Sequence, residues 1–110
     1  MKHKYGEFTR NQISEIKQSL RKSIFFLLLY VDPKTKQEYV DVNINQAFCG
    51  LLHMLGGMNE ILFYPPELVK IISLLQAALT EVNKTDFNFS VYRKLILDAG
   101  AEVERIKECD

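Results

Sequence analysis

The chain is poor in residues that carry a fixed chemistry. Its two cysteines, Cys49 and Cys109, stand 60 residues apart. That excludes a disulfide framework and makes a reducing compartment, the cytoplasm, the expected setting. Net charge is zero, with 14 basic and 14 acidic residues, so no global attraction draws the protein to nucleic acid or acidic lipid. The longest unbroken apolar run, Ile24 to Val31, has eight residues, far short of the ~20 needed to cross a bilayer. The basic opening MKHKYGEFTR has no apolar run behind it until Ile24, so no signal peptide is expected. The pair Gly56-Gly57 is followed by neither Lys-Ser nor Lys-Thr, which excludes a phosphate loop there. Internal repeats and low-complexity segments are also missing.

What the chain has in quantity is apolar surface. At 47% apolar and 25% charged, the composition is that of a globular protein and not of a disordered one. A length of 110 residues supports one core and one domain. Within it, residues 1–8 read as a flexible basic arm and 108–110 as a frayed tail. The richest stretch runs from Ile44 to Leu79, where 22 of 36 residues are apolar and only Glu60, Glu67 and Lys70 are charged. Charge is divided along the chain: residues 1–40 hold eight cations and four acids, residues 41–110 six cations and ten acids. Such a division can orient a partner or a second copy, though it is also what an ordinary solvated surface looks like.

Local signals set the elements. Phe8-Thr9-Arg10-Asn11-Gln12-Ile13 reads as a capping box, with Thr9 and Gln12 reciprocal and Phe8 against Ile13 as a hydrophobic staple. A helix over 9–31 then carries Ile13, Ile16, Leu20, Ile24, Leu27 and Val31 on one stripe. Arg10, Lys17 and Arg21 recur on its other side, within about 40° of one another. From Ile24 the pattern is apolar all round, and Asp32-Pro33 ends it. A second helix is expected over 44–56 on Ile44, Phe48, Leu51, Leu52 and Leu55, stopped by Gly56-Gly57. Ala47 and Gly50 leave a shallow groove on its flank, and because Gly50 costs about 1 kcal/mol inside a helix, another backbone is expected to pack closely there. Pro65-Pro66-Glu67 starts a third helix over 65–83, with Leu68, Ile71, Ile72, Leu75, Leu79 and Val82 as its stripe. Val69, Leu74 and Ala78 add a second apolar side. Asn88 or Ser90 caps a fourth helix over 89–107, whose seam is Phe89, Tyr92, Ile96, Ala99, Val103 and Ile106. Gly100, between two alanines, again predicts close packing.

The expected fold is therefore mainly α: a single four-helix, bundle-like domain. The alternative is α+β, with a hairpin or three-stranded meander at 25–31, 38–44 and 60–64 packed on the helices.

Each polar constellation has a plainer reading beside it. Cys49 and His53 share a helix face at i, i+4, but a zinc site needs three or four ligands, and Cys49 reads as core, where an apolar environment raises a thiol pKa. No metal, cofactor or catalytic residue is expected. Asp98 and Glu102 make an acidic i, i+4 pair without the Glu-x-x-His motifs of a di-metal bundle; both read as exposed. The basic side at Arg10, Lys17 and Arg21 can meet an acidic protein or track phosphates, or it is simply solvated. The second side of the third helix, at Val69, Leu74 and Ala78, is either core or an interface.

These features favour a small, non-enzymatic cytoplasmic interaction protein. It would act by stoichiometric binding of a protein partner or of itself, as an accessory subunit, inhibitor, or immunity or anti-defence factor. The candidate partner-binding residues are Arg10, Lys17, Arg21, Val69, Leu74 and Ala78. A nucleic-acid accessory protein using the basic side of the first helix is the alternative, and an enzyme using Cys49 and His53 is a second one.

Overall fold

The computed structural model describes residues 2–3, 6–7, 9–62 and 64–106; for Arg10 and for residues 2–3 and 6–7 it describes the backbone only. Four helices form: α1 (Arg10–Leu29), α2 (Ile44–Ile61), α3 (Pro66–Val82) and α4 (Phe89–Glu104). Ahead of them, Lys2–His3 pairs antiparallel with Gly6–Glu7 in a two-residue ladder, where the sequence suggested a loose arm. The staple at Phe8 and the tail at 108–110 lie outside the described residues.

The helix starts follow the local chemistry. Thr9 Oγ1 accepts from the Gln12 amide at 3.1 Å, and Gln12 Oε1 accepts from the Thr9 amide at 2.8 Å, so two orphan donors are satisfied at once. Asn43 Oδ1 accepts from the Gln46 amide at the start of α2, and Asn88 Oδ1 from Ser90 and Val91 at the start of α4. Pro66 opens α3, where a missing N–H costs nothing.

Neighbours run antiparallel, in the order α1–α4–α3–α2 around the bundle. Lys17 meets Ile106 while Leu27 meets Tyr92, and Asn83 at the end of α3 meets Asn45 at the start of α2. The result is 44 Å long and about 21–22 Å across. The core takes Ile13, Leu20, Ile24 and Leu27 from α1 and Phe48, Leu51 and Leu55 from α2. It takes Leu68, Ile71, Leu75 and Ala78 from α3, and Tyr92, Ile96, Ala99 and Val103 from α4. The seam expected on α4 is therefore the seam that packs.

The mainly α expectation holds and its α+β alternative does not, while some finer expectations about glycines are corrected. No strand forms over 25–44. Residues 24–29 continue α1, with Ile24, Leu27 and Leu28 buried, and Lys36–Tyr39 forms one 3-10 turn. Thr35 and Lys36 amides donate to the Asp32 carbonyl, which turns the chain before any extended pairing can begin. Val40 and Val42 are left exposed. Residues 60 and 61 belong to α2, so the third strand is missing as well.

Gly56-Gly57 does not stop α2, which continues to Ile61. Neither glycine adopts a left-handed conformation, and buried Leu62 at the C-cap anchors the extra turn. The chain leaves α2 through Tyr64 instead, at φ 57°, with its amide on the Asn59 carbonyl at 2.7 Å. Gly50 and Gly100 do not mark close packing, since a Cβ at either would meet nothing within 4 Å.

Candidate functional site

The two seams flanking α1 are built differently, and the difference is fixed by four side chains. On the α4 side, Lys17 is 8% exposed and its Nζ donates to the carbonyls of Ile106 at 3.0 Å and Glu104 at 3.3 Å. These are acceptors left over at the end of α4, and an ammonium there also meets the negative end of the helix dipole. Arg21 pairs with the Glu104 carboxylate one turn along. At the other end, buried Tyr92 donates from its hydroxyl to the Leu27 carbonyl at 2.6 Å. That carbonyl lies in the last turn of α1, so each helix caps the other. Burial pushes the Tyr92 phenol well above its ordinary value, which keeps it a proton donor.

On the α2 side the helices approach far less closely. Between them runs an apolar groove with two cavities, of about 330 and 340 Å³, that meet at Met54. Ile16, Leu20 and Met58 line the first; Phe26, Leu27, Ala47 and Gly50 line the second. Met54 itself is 43% exposed. The far end is walled by aromatics: Tyr39, from the 3-10 turn, sits 5.1 Å from Tyr30 and 6.3 Å from Phe26, centroid to centroid. Gly50 widens the floor, because a side chain there would occupy open space.

Of the residues singled out from sequence, Lys17 and Arg21 are thus engaged within the chain, and Lys17 does not lie on a solvated face. The side chain of Arg10 lies outside the described residues. Ala78 is core, Leu74 packs against the core at its edge, and Val69 is exposed. The three are therefore not one patch. Cys49 is corrected most plainly: it is exposed, as is His53, because both stand off the stripe that α2 buries. Glu102 is also corrected. It is buried and paired with Lys70 at 3.4 Å and Arg105 at 3.2 Å, while Asp98 is exposed.

Sequence reasoning passed over two features. One is Glu81, buried at the end of α3, which accepts from Lys84 Nζ at 2.9 Å and from the Asn88 amide at 3.1 Å. The Lys84 ammonium, helped by that amide, holds its carboxyl below the usual carboxylate range. The other is the extent of the α1–α2 groove: Ala47 and Gly50 suggested a shallow groove on the flank of the second helix, but Met54 and the α1 wall were not read as part of it.

Among the described residues no group of three or more histidine, cysteine or carboxylate side chains converges as a metal site would require. No helix among them is long and apolar enough to cross a membrane. No known protein family, curated protein or solved structure matches the chain.

Proposed function

We propose that this protein is a non-enzymatic interaction module that binds a protein partner stoichiometrically, in the reducing cytoplasm, by taking an amphipathic helix into the α1–α2 groove. The observation that carries this reading is the open seam itself: adjacent antiparallel helices that leave an apolar channel over Leu20, Leu27 and Leu51. A helical ligand with apolar residues at i, i+3, i+4 and i+7 presents a matching stripe. Methionines suit such a surface, since an unbranched, polarizable side chain adapts to differing partners. Met54 and Met58 stand where a ligand would pass.

The test is affinity capture from cells that make the protein, run in parallel with Met54→Glu and Gly50→Leu. Capture of one protein at unit stoichiometry by the parent, lost in both variants while their thermal melts stay intact, supports the reading. Equal capture by all three removes the groove from it.

A further inference from the structure

The outer side of the α1–α4 seam holds a second concavity, separate from the α1–α2 groove. Its volume is about 570 Å³, within the ordinary range for a small-molecule site. Ile24 and Phe25 line one wall, and Ile96, Leu97, Gly100 and Ala101 line the other. The Lys17–Ile106 and Leu27–Tyr92 contacts set the register of the two antiparallel helices, and bring Phe25 level with Leu97 and Lys22 level with Gly100. Phe25 and Leu97, 52% and 42% exposed, therefore stand on opposite walls at one end. Toward the other end the Arg21–Glu104 ion pair crosses the seam. Glu104 lies two turns of α4, ~10 Å, beyond Leu97. A partner helix or extended peptide laid along the seam would have to pass both obstructions, whereas a compact molecule sits between them.

Charge narrows the class of occupant. Arg21 and Lys22 are the cations of the lining, and Glu104 is its one acid. Glu104 is already held by Arg21, while Lys22 has no ion-pair partner among the described residues. Exposed Arg93, one turn before Leu97 on the same face of α4, has none there either. An apolar recess with unmatched positive charge at its rim favours an apolar anion over a neutral or cationic compound of the same shape. The half-exposed Phe25 ring adds an edge or face for an aromatic ligand.

We propose that the α1–α4 concavity binds a small aromatic carboxylate, with its ring system over Ile24 and Ile96 between Phe25 and Leu97, and its carboxylate at Lys22. The site does not depend on the partner-helix reading, and its test concerns a different face of α1.

Amide chemical shifts of the full chain, titrated with naphthoate, naphthylmethylamine and naphthalenemethanol, provide the test, because the three share a ring system and differ in charge. Naphthoate binds with a Kd of about 1 mM or tighter and moves the amides around Lys22, Phe25, Leu97 and Gly100; the amine and the alcohol bind at least about tenfold more weakly. Lys22→Glu inverts the preference between naphthoate and the amine, a result that loss of structure cannot produce. Phe25→Ser weakens naphthoate with helical circular dichroism unchanged, and Met54→Glu, in the other groove, leaves its affinity unchanged. Equal affinity for all three compounds, an unaltered preference in Lys22→Glu, or shifts confined to the α1–α2 groove overturns the proposal. So does binding to phosphatidylserine vesicles without any response to naphthoate, which would make this face a membrane-docking surface instead.

Discussion

The α1–α4 and α1–α2 seams share one helix yet differ in kind. Against α4, α1 is fastened at both ends by side chains that satisfy the other helix's terminal carbonyls, Lys17 at one end and Tyr92 at the other. Against α2, the same helix offers Ile16, Leu20 and Phe26 to a channel that stays open. A buried polar bond at a helix end gives a seam one register, because leaving either group unpaired costs about 1–3 kcal/mol. An apolar channel without such fastening tolerates insertion of another apolar surface. A fixed register on the α4 side of α1, and the lack of such fastening on the α2 side, are thus consequences of where a few polar atoms fall, although an exposed cavity of about 570 Å³ lies along the α4 side as well.

The largest effect expected from breaking this contrast is at Tyr92. Truncation to Ala removes a fully buried ring and its bond to Leu27, and urea denaturation should show a loss of ~3–5 kcal/mol. The matching change in the open seam, Met54→Ala, should cost less than ~1 kcal/mol, since the side chain is only partly withdrawn from water. Similar losses at both sites would erase the distinction. Next comes Lys17→Met, which keeps the packing of the stem but leaves the α4 carbonyls unpaired, for about 2 kcal/mol in the same assay.

Acid should act on a third seam, where Glu81 ties the end of α3 to the start of α4. Its carboxyl is depressed from an ordinary value of 4.5, so its contribution is complete above that value and is lost as pH falls through the lower, folded one. Glu81→Gln should therefore lower stability near neutrality and flatten the decline between about pH 6 and pH 3. A parallel decline in parent and variant would assign the acid sensitivity to other carboxylates. The smallest effects are gains. Gly56→Ala and Gly57→Ala put a methyl into open space on α2 and should each stabilise by ~0.5–1 kcal/mol in thermal melts.

The reach of the sequence over this molecule follows the range of the interactions involved. The Thr9–Gln12 box, the Asn88 cap and the Tyr92–Ile96–Ala99–Val103 seam are local or periodic, and all were legible. So were four helices in one bundle. The end of α2 was not, because Gly56-Gly57 resembles a stop signal until the burial of Leu62 beyond it is known. Cys49 was misplaced by its apolar neighbours in sequence, although its angle on the helix already separated it from Phe48, Leu51 and Leu55. Lys17 could not be read as a cap, since its acceptors lie 87 and 89 residues away. The two grooves are relations between helices, and no single stretch encodes either.

Replacing one residue at a time with a photo-crosslinking amino acid, in cells that make the protein, puts the contrast between the seams to its most direct test. From position 54, in the α1–α2 groove, the account predicts a heterologous adduct of one mass; from position 98, on the α3–α4 side, it predicts none. Adducts from position 98 with nothing from position 54 would contradict the claim that the open seam is where this protein binds.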